Sequence, residues 1–167
     1  MVSTKREIRE IERGYENFRR NEGGGATSIG HLVRWFEFDS ANTTMHSVYD
    51  EGPTRRWKEG VLIPVLYVVR TESGEGTSPE GQYQVDYASL TFLVSDFRKA
   101  GIVNPEDNHA HEDDRFLFRS RLFSVDTFNV FGHFPNENVT IAVSGAQVRE
   151  DENALDTTGQ FSGYIPE

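Results

Sequence analysis

The sequence lacks cysteine, long apolar runs and the usual catalytic motifs. Because there is no cysteine, the chain can form neither disulfide bonds nor thiolate metal sites, as is typical of proteins from a reducing compartment. No apolar run approaches the about 20 residues needed to span a bilayer, and the polar N-terminus carries no apolar signal segment. We therefore expect a soluble protein that is synthesised inside the cell and does not enter a membrane.

The glycine-rich and acidic segments do not form a recognisable catalytic site. The glycines at 23–25 and 74–76 lack the spacing and the Lys-Ser/Thr continuation of a phosphate-binding loop. No Gly-x-Ser-x-Gly nucleophile elbow occurs. Carboxylate pairs carry little information, because 27 of the 167 residues are acidic. We therefore expect no catalytic residues, no cofactor and no enzymatic activity.

The net charge of −10 is unevenly distributed along the chain. An acidic protein is a poor general binder of phosphate groups. Residues 1–20 nevertheless carry more basic than acidic side chains, whereas residues 105–114 and 150–167 are strongly acidic. This pattern is typical of a protein whose surface contacts both positively and negatively charged partners, although ordinary solvated segments would also produce it.

The N-terminal segment predicts an amphipathic helix. Thr4 and Glu7 form a capping box that opens it, and the three glycines at 23–25 end it. Four apolar residues fall on one stripe at helical spacing: Ile8, Ile11, Tyr15 and Phe18. We expect this stripe to dock the arm, either on its own domain or on a neighbour.

The rest of the chain predicts a mainly β domain. About six strands are expected, at residues 31–39, 61–70, 83–95, 115–119 and 122–132 and from residue 139 onward. A short helix is expected at 96–100, followed by Gly101 as its C′ residue. The fold class is therefore a small antiparallel β-barrel or sandwich with an N-terminal helix, one short helix between strands, long loops and an acidic C-terminal tail.

Three segments follow from this reading. Residues 1–25 are a helical arm with a glycine hinge, residues 30–150 are the β domain with a long loop at 40–60, and residues 151–167 are an acidic tail. A loop of about 20 residues is usually functional or disordered, and the composition of 71–81 predicts another loop. The tail carries three late apolar anchors, namely Phe161, Tyr164 and Ile165.

The predicted strand at 61–70 is apolar on both faces, which implies that both are covered. Pro64 removes one backbone donor, so the strand should lie at a sheet edge or contain a bulge. We therefore expect another element to cover this strand and to pair with its free edge.

The loop before that strand holds the candidate interaction site. Its basic residues flank an aromatic one, and this composition fits nucleic-acid stacking or a protein–protein hot spot. Because acidic residues precede the basic ones, we favour a protein partner, and we expect Trp57 to lie in the polar loop without a core role. The candidate residues are Tyr49, Asp50, Glu51, Arg55, Arg56, Trp57 and Lys58.

Two histidines in the acidic loop are a weak metal candidate. On an extended loop His109 and His111 would face one side and could share a divalent ion. A third ligand such as His46 or His133 would be needed. An acidic solvated loop is the more probable interpretation, and we therefore expect no metal.

Several short motifs follow one another along the chain in an order that points to a protein family. Tyr-Asp-Glu-Gly stands at 49–52, Arg-Arg-Trp at 55–57, and a strand with an early proline at 61–66. Ser-Asp-Phe-Arg-Lys-Ala-Gly at 95–101, Asn-Pro-Glu-Asp at 104–107 and a final pair of strands follow. Over about residues 30–150 this order resembles the head-to-tail stopper, or head-closure, connector proteins of long-tailed phages that infect actinobacteria. Lys58 and Glu59 depart from the proline-rich continuation of that family.

The resemblance implies a small β-barrel subunit of the virion neck, synthesised in the host cytoplasm, that assembles with copies of itself into a ring. Such a ring would lie between the portal or adaptor ring and the tail terminator or tail tube, close the channel after DNA packaging and present the docking surface for the tail. DNA would pass through the lumen without sequence-specific binding, which an acidic lining favours.

Two alternatives stay open. Within the same neck, the chain could be a tail terminator or a head–tail adaptor, because the N-terminal helix favours the largely helical adaptors while the strand count favours a stopper. In a different class, it could be a small β-sandwich enzyme that binds a ligand or a metal.

Overall fold

The computed structural model describes residues 2–21, 32–43, 55–78, 81–134, 137–148 and 161. Within these ranges the chain forms two helices and seven strands, in the order α1 (Val2–Asn21), β1 (Leu32–Phe36), β2 (Val61–Pro64), β3 (Tyr67–Ser78), β4 (Gly81–Leu93), α2 (Val94–Lys99), β5 (Arg115–Phe118), β6 (Arg121–Phe134) and β7 (Glu137–Gln147). Neither helix is both long and apolar enough to cross a membrane.

The seven strands form one antiparallel sheet in the order β2-β1-β5-β6-β7-β4-β3. This confirms the mainly β class with an N-terminal helix and one short helix between strands. Among the described residues β2 and β3 do not pair, so the sheet is open and a closed barrel stays a prediction.

The single strand predicted at 61–70 is wrong, because the chain forms two strands there. Pro64 ends β2 at one edge of the sheet, and β3 begins at Tyr67 on the opposite edge. Only Val65 and Leu66 lie between them, so the two edges approach within about 11 Å at this corner. The sheet is therefore strongly curled, and the expected edge position of Pro64 is confirmed.

The loop predicted at 71–81 is also wrong. Strand β3 continues to Ser78, where it pairs with Gly81 of β4, although its second half is rich in glycine and polar residues. The register shifts between Thr71 and Gly74, so the glycine-rich segment accommodates a bulge within the ladder. Pairing with β4 overrides the local composition.

Several turns agree with the sequence. A tight turn joins β5 to β6 as expected, but it lies at 119–120, one residue earlier than the predicted strand ends imply, and both of its residues have positive φ, 49° at Arg119 and 63° at Ser120. Helix α2 occupies Val94–Lys99 rather than 96–100. Gly101 follows it with φ 79°, in the left-handed conformation expected of a C′ glycine.

The side chains of the sheet pack into two hydrophobic clusters, one on each face. Trp35, Phe116 and Phe123 belong to the main core beneath α2. Their neighbours in sequence point the other way, so Phe36 and Leu122 belong to a second cluster. This second cluster consists of Phe36, Trp57, Leu122, Val148 and Phe161, with Phe38 and Leu117 packed against it.

The helix in the N-terminal arm is confirmed, although it begins at Val2 rather than at Thr4. The glycine hinge and most of the acidic tail lie outside the described residues, so the division into arm, domain and tail stays a prediction. Of the three tail anchors only Phe161 is described, and its side chain is buried.

Candidate interaction site

The base of the predicted interaction loop is held by an extension of the β1–β2 hairpin. The backbone N–H of Asp39 donates to the carbonyl of Arg56 at 2.9 Å, and that of Lys58 donates to Glu37 at 2.8 Å. Phe38 and Trp57 form the bridge between these bonds. Both ends of the loop are therefore anchored to the sheet.

The expectation that Trp57 has no core role is wrong. Its side chain is only 6% exposed, and its indole N–H donates to the carbonyl of Asp113 at 3.0 Å. The ring packs edge-on against Phe38 and Phe161, with centroid distances of 5.8 and 5.2 Å. The guanidinium carbon of Arg115 lies 3.9 Å from the ring centroid on its face. Trp57 is thus a packing residue of the second cluster.

The other predicted contact residues divide into two groups. Arg55, Arg56 and Lys58 are exposed beside the buried tryptophan. Lys58 also forms an ion pair with Glu37 at 3.3 Å. Tyr49, Asp50 and Glu51 lie outside the described residues. What remains of the predicted site is a short basic ridge, which we define as Arg55, Arg56 and Lys58.

A second arrangement, not predicted from the sequence, lies on the opposite face of the sheet. The carboxylate of Asp114 is 1% exposed and accepts three hydrogen bonds. The indole N–H of Trp35 donates to Oδ2 at 2.9 Å, the Nδ1–H of His111 donates to the same oxygen at 2.7 Å, and the backbone N–H of Phe38 donates to Oδ1 at 2.7 Å. This carboxylate therefore connects β1 to the acidic loop.

The hydrogen-bond geometry around His111 favours the doubly protonated imidazolium form. Its Nε2 lies 3.1 Å from the carbonyl oxygen of Asn104, and its Nδ1 faces the carboxylate of Asp114. Both partners are acceptors, so both ring nitrogens must donate, which only imidazolium can do. Burial lowers the pKa of His111, but the Asp114 carboxylate, the Asn104 carbonyl and the charge of Glu37 outweigh it and hold that pKa above its usual value.

The expectation that His109 and His111 would face one side and could share an ion is wrong. His111 is buried with both ring nitrogens engaged, whereas His109 is exposed and lies 2.7 Å from Glu112. The hydrogen bond that His109 donates to the carboxylate of Glu112 raises the pKa of His109. No group of three or more metal-ligating side chains is found among the described residues. His46 and the side chain of His133 lie outside those residues.

The arm residues are only partly described. On α1 the side chains of Ile8 and Ile11 are half-buried, while those of Tyr15 and Phe18 lie outside the described set. The extensive packing contacts within the described ranges join the strands and α2, and none of these involves α1. Docking of the arm therefore stays a prediction.

The C-terminal tail contributes one well-placed side chain. Phe161 is 1% exposed and packs edge-on against Phe36 at 5.0 Å, and Arg115 lies over its ring at 5.2 Å. Arg115 is itself buried and lies against the rings of Trp57 and Phe161. Only the apolar character of Phe161 within a polar tail indicated this contact in the sequence.

Comparison with known proteins adds little to this geometry. No protein-family model matches the chain, and no curated protein matches it. Among solved structures, a chain of "Virion of native gene transfer agent (GTA) particle" is similar over 70% of this chain and 93% of that chain, with 12% sequence identity and a TM-score of 0.40. A likeness at this level carries no argument about function.

Proposed function

We propose that the protein is a non-enzymatic structural subunit of a phage virion, and specifically a head-to-tail stopper that forms a ring in the neck. The observation that carries the proposal is the order of motifs over residues 30–150, which resembles that family. In the structure Arg-Arg-Trp at 55–57 lies at the anchored base of the loop, 95–101 lies in and just after α2, and 104–107 lies in a turn-rich loop, whereas 49–52 lies outside the described residues. This arrangement is compatible with a subunit whose loops contact its neighbours.

The free edges of the sheet support assembly. Strands β2 and β3 each have one pairing neighbour among the described strands, so one side of each presents backbone groups to a further strand. Pro64 lacks an N–H, and β2 is only four residues long, which makes β3 the better edge for strand addition.

The absence of enzymatic activity is part of the proposal. The most tightly connected ionisable groups, His111 and Asp114, are buried and use their hydrogen-bonding atoms on Trp35, Asn104 and Phe38. A proton carrier in catalysis must reach its substrate. Their arrangement supports a role in stability rather than in chemistry.

A head–tail adaptor of the same neck is the second candidate. The observation that favours it is α1, a 20-residue amphipathic helix outside the sheet. Adaptors are expected to be mainly helical, and the seven strands therefore favour the stopper.

The test is the native mass of the purified full chain over a range of concentrations, alone and mixed with portal complexes and tails of the same particle. We expect a ring of identical subunits that joins the portal complex and then accepts tails. A 19.0 kDa monomer at all concentrations that joins neither partner would contradict the proposal.

The basic ridge is tested in the same assay. Arg55→Glu combined with Arg56→Glu should leave the circular dichroism spectrum unchanged and reduce joining at least about tenfold, because hot-spot arginines contribute about 2 kcal/mol or more. Arg119→Glu, in an exposed turn, is the charge-reversal control. Equal joining by both proteins would exclude the ridge as a contact.

A further inference from the structure

Among the side chains that the structure describes, the regular outward-pointing positions of β3, β4, β7 and β6 carry no charge. Its positions alternate with core residues such as Leu90 and Val143. In the middle lie small side chains in directly opposed pairs, Ser89 with Ser144 and Thr91 with Ala142. Asp126, in the bulge between Val125 and Thr127, is exposed and is the one charged side chain described at the β6 margin of the face.

Large apolar side chains lie at the margins of this uncharged face. Tyr67 and Val69 on β3 are 63% and 42% exposed, Tyr87 on β4 is 44% exposed, and Phe131 on β6 is 52% exposed. In a chain with 26% charged residues, a four-stranded face whose regular positions carry no charge and whose aromatic rings are exposed is typical of an interface.

Helix α1 has the complementary properties. Its apolar stripe contains Ile8 and Ile11, and its 20 residues extend for about 30 Å, longer than the about 14 Å between the outer strands of the face. Six basic and four acidic side chains give residues 1–20 a net charge of +2, which leaves −12 for the rest of the chain. A basic arm is attracted to the acidic body of another copy.

We propose that α1 of one subunit lies with its apolar stripe on the uncharged face of a neighbouring copy. The inference rests on the proposed ring, because it takes the neighbour to be a second copy. Each subunit would then place its own arm on the next subunit and bind the arm of the preceding one. Such a head-to-tail contact can close into a ring.

Engineered cysteines test this contact directly, because the chain contains none. Ile11→Cys and Ser89→Cys are purified separately, mixed at assembly concentration and oxidised. A disulfide requires the two Cα atoms to lie within about 7 Å. We expect a covalent dimer of one protein of each kind, at least about tenfold more abundant than in the control mixture of Ile11→Cys with Asn108→Cys, whose cysteine lies on an exposed loop.

The native mass of the same mixtures separates this inference from the proposed function. Rings without the specific disulfide would overturn the arm contact and leave the ring intact, whereas the disulfide without rings would support the contact and contradict the ring. The double variant at high dilution must stay without an internal disulfide, since efficient formation there would show that the arm docks on its own domain.

A charge placed on the face is the second measurement. Ser89→Lys should weaken association at least about tenfold, because the ammonium group would be buried under an apolar stripe. Asn108→Lys adds the same charge outside the face and should leave association unchanged. Equal association of the two variants would contradict the proposal.

Discussion

Replacing Asp114 with Asn is the sharpest test of the buried arrangement around His111. The side chain keeps its size but loses its charge and one acceptor oxygen. Three donors point at the two carboxylate oxygens, from Trp35, His111 and the backbone of Phe38. The amide of Asn would face at least one of these donors with its own N–H groups. The buried imidazolium would also lose its counter-charge.

The expected cost is about 3 kcal/mol. Removing one partner of a buried ion pair costs about 3–5 kcal/mol, and the lower value applies because His111 can release its proton. In a protein of this size a loss of 1 kcal/mol lowers the melting temperature by about 2–4 °C. The melting temperature should therefore fall by about 6–12 °C at pH 6.

The pH dependence gives an independent readout. The pKa of His111 is raised above its usual 6.5 in the folded protein, so its stabilising contribution is complete below about pH 6.5 and is lost as the pH rises through the folded pKa. Unfolding by urea, followed by circular dichroism, should show this loss in the native protein and not in Asp114→Asn.

His109→Gln is the matched control, because that histidine is exposed and pairs only at the surface. It should retain the melting temperature of the native protein and lose only the part of the pH dependence that its own surface pair with Glu112 contributes. If Asp114→Asn unfolds at the native temperature, or keeps the same pH dependence, the buried imidazolium is refuted.

Three further predictions concern packing and turn geometry. Trp57→Ala should reduce the free energy of unfolding by about 3–5 kcal/mol, because a buried ring with a hydrogen bond is removed; an unchanged urea midpoint would contradict its core position. Phe161→Ala should cost about 3 kcal/mol and shift the fluorescence maximum of Trp57 to longer wavelength, whereas an unshifted spectrum would contradict the contact. Arg119→Asn combined with Ser120→Gly should raise stability by about 1 kcal/mol, since both positions have positive φ, and a lower melting temperature would contradict that reasoning.

The regular alternation of the later strands could be predicted from the sequence, but the split of residues 61–70 could not. A continuous apolar run hides the change of direction at Val65 and Leu66. There the N–H of Leu66 donates to the carbonyl of Thr91 in β4, the strand next to the edge opposite β2. Local periodicity does not record which strand a residue pairs with.

The candidate site shows the same limitation. Trp57 lies among charged residues in the sequence, and its cover comes from Phe38, Arg115 and Phe161, of which the last is more than a hundred positions away. Nor does the spacing of the two histidines show that His111 turns inward to Asp114. These contacts depend on tertiary structure, whereas the exposure of Arg55 and Arg56 followed from their charge alone.

The most direct test of the proposed function is to locate the subunit in assembled particles. Electron microscopy of virions that carry a labelled copy of this chain should place the label in one symmetric ring between the portal and the tail. Particles that lack the chain should be heads without tails that have not retained their packaged DNA, because the channel stays open. A label on the capsid surface or along the tail, or its absence from mature particles, would contradict the account.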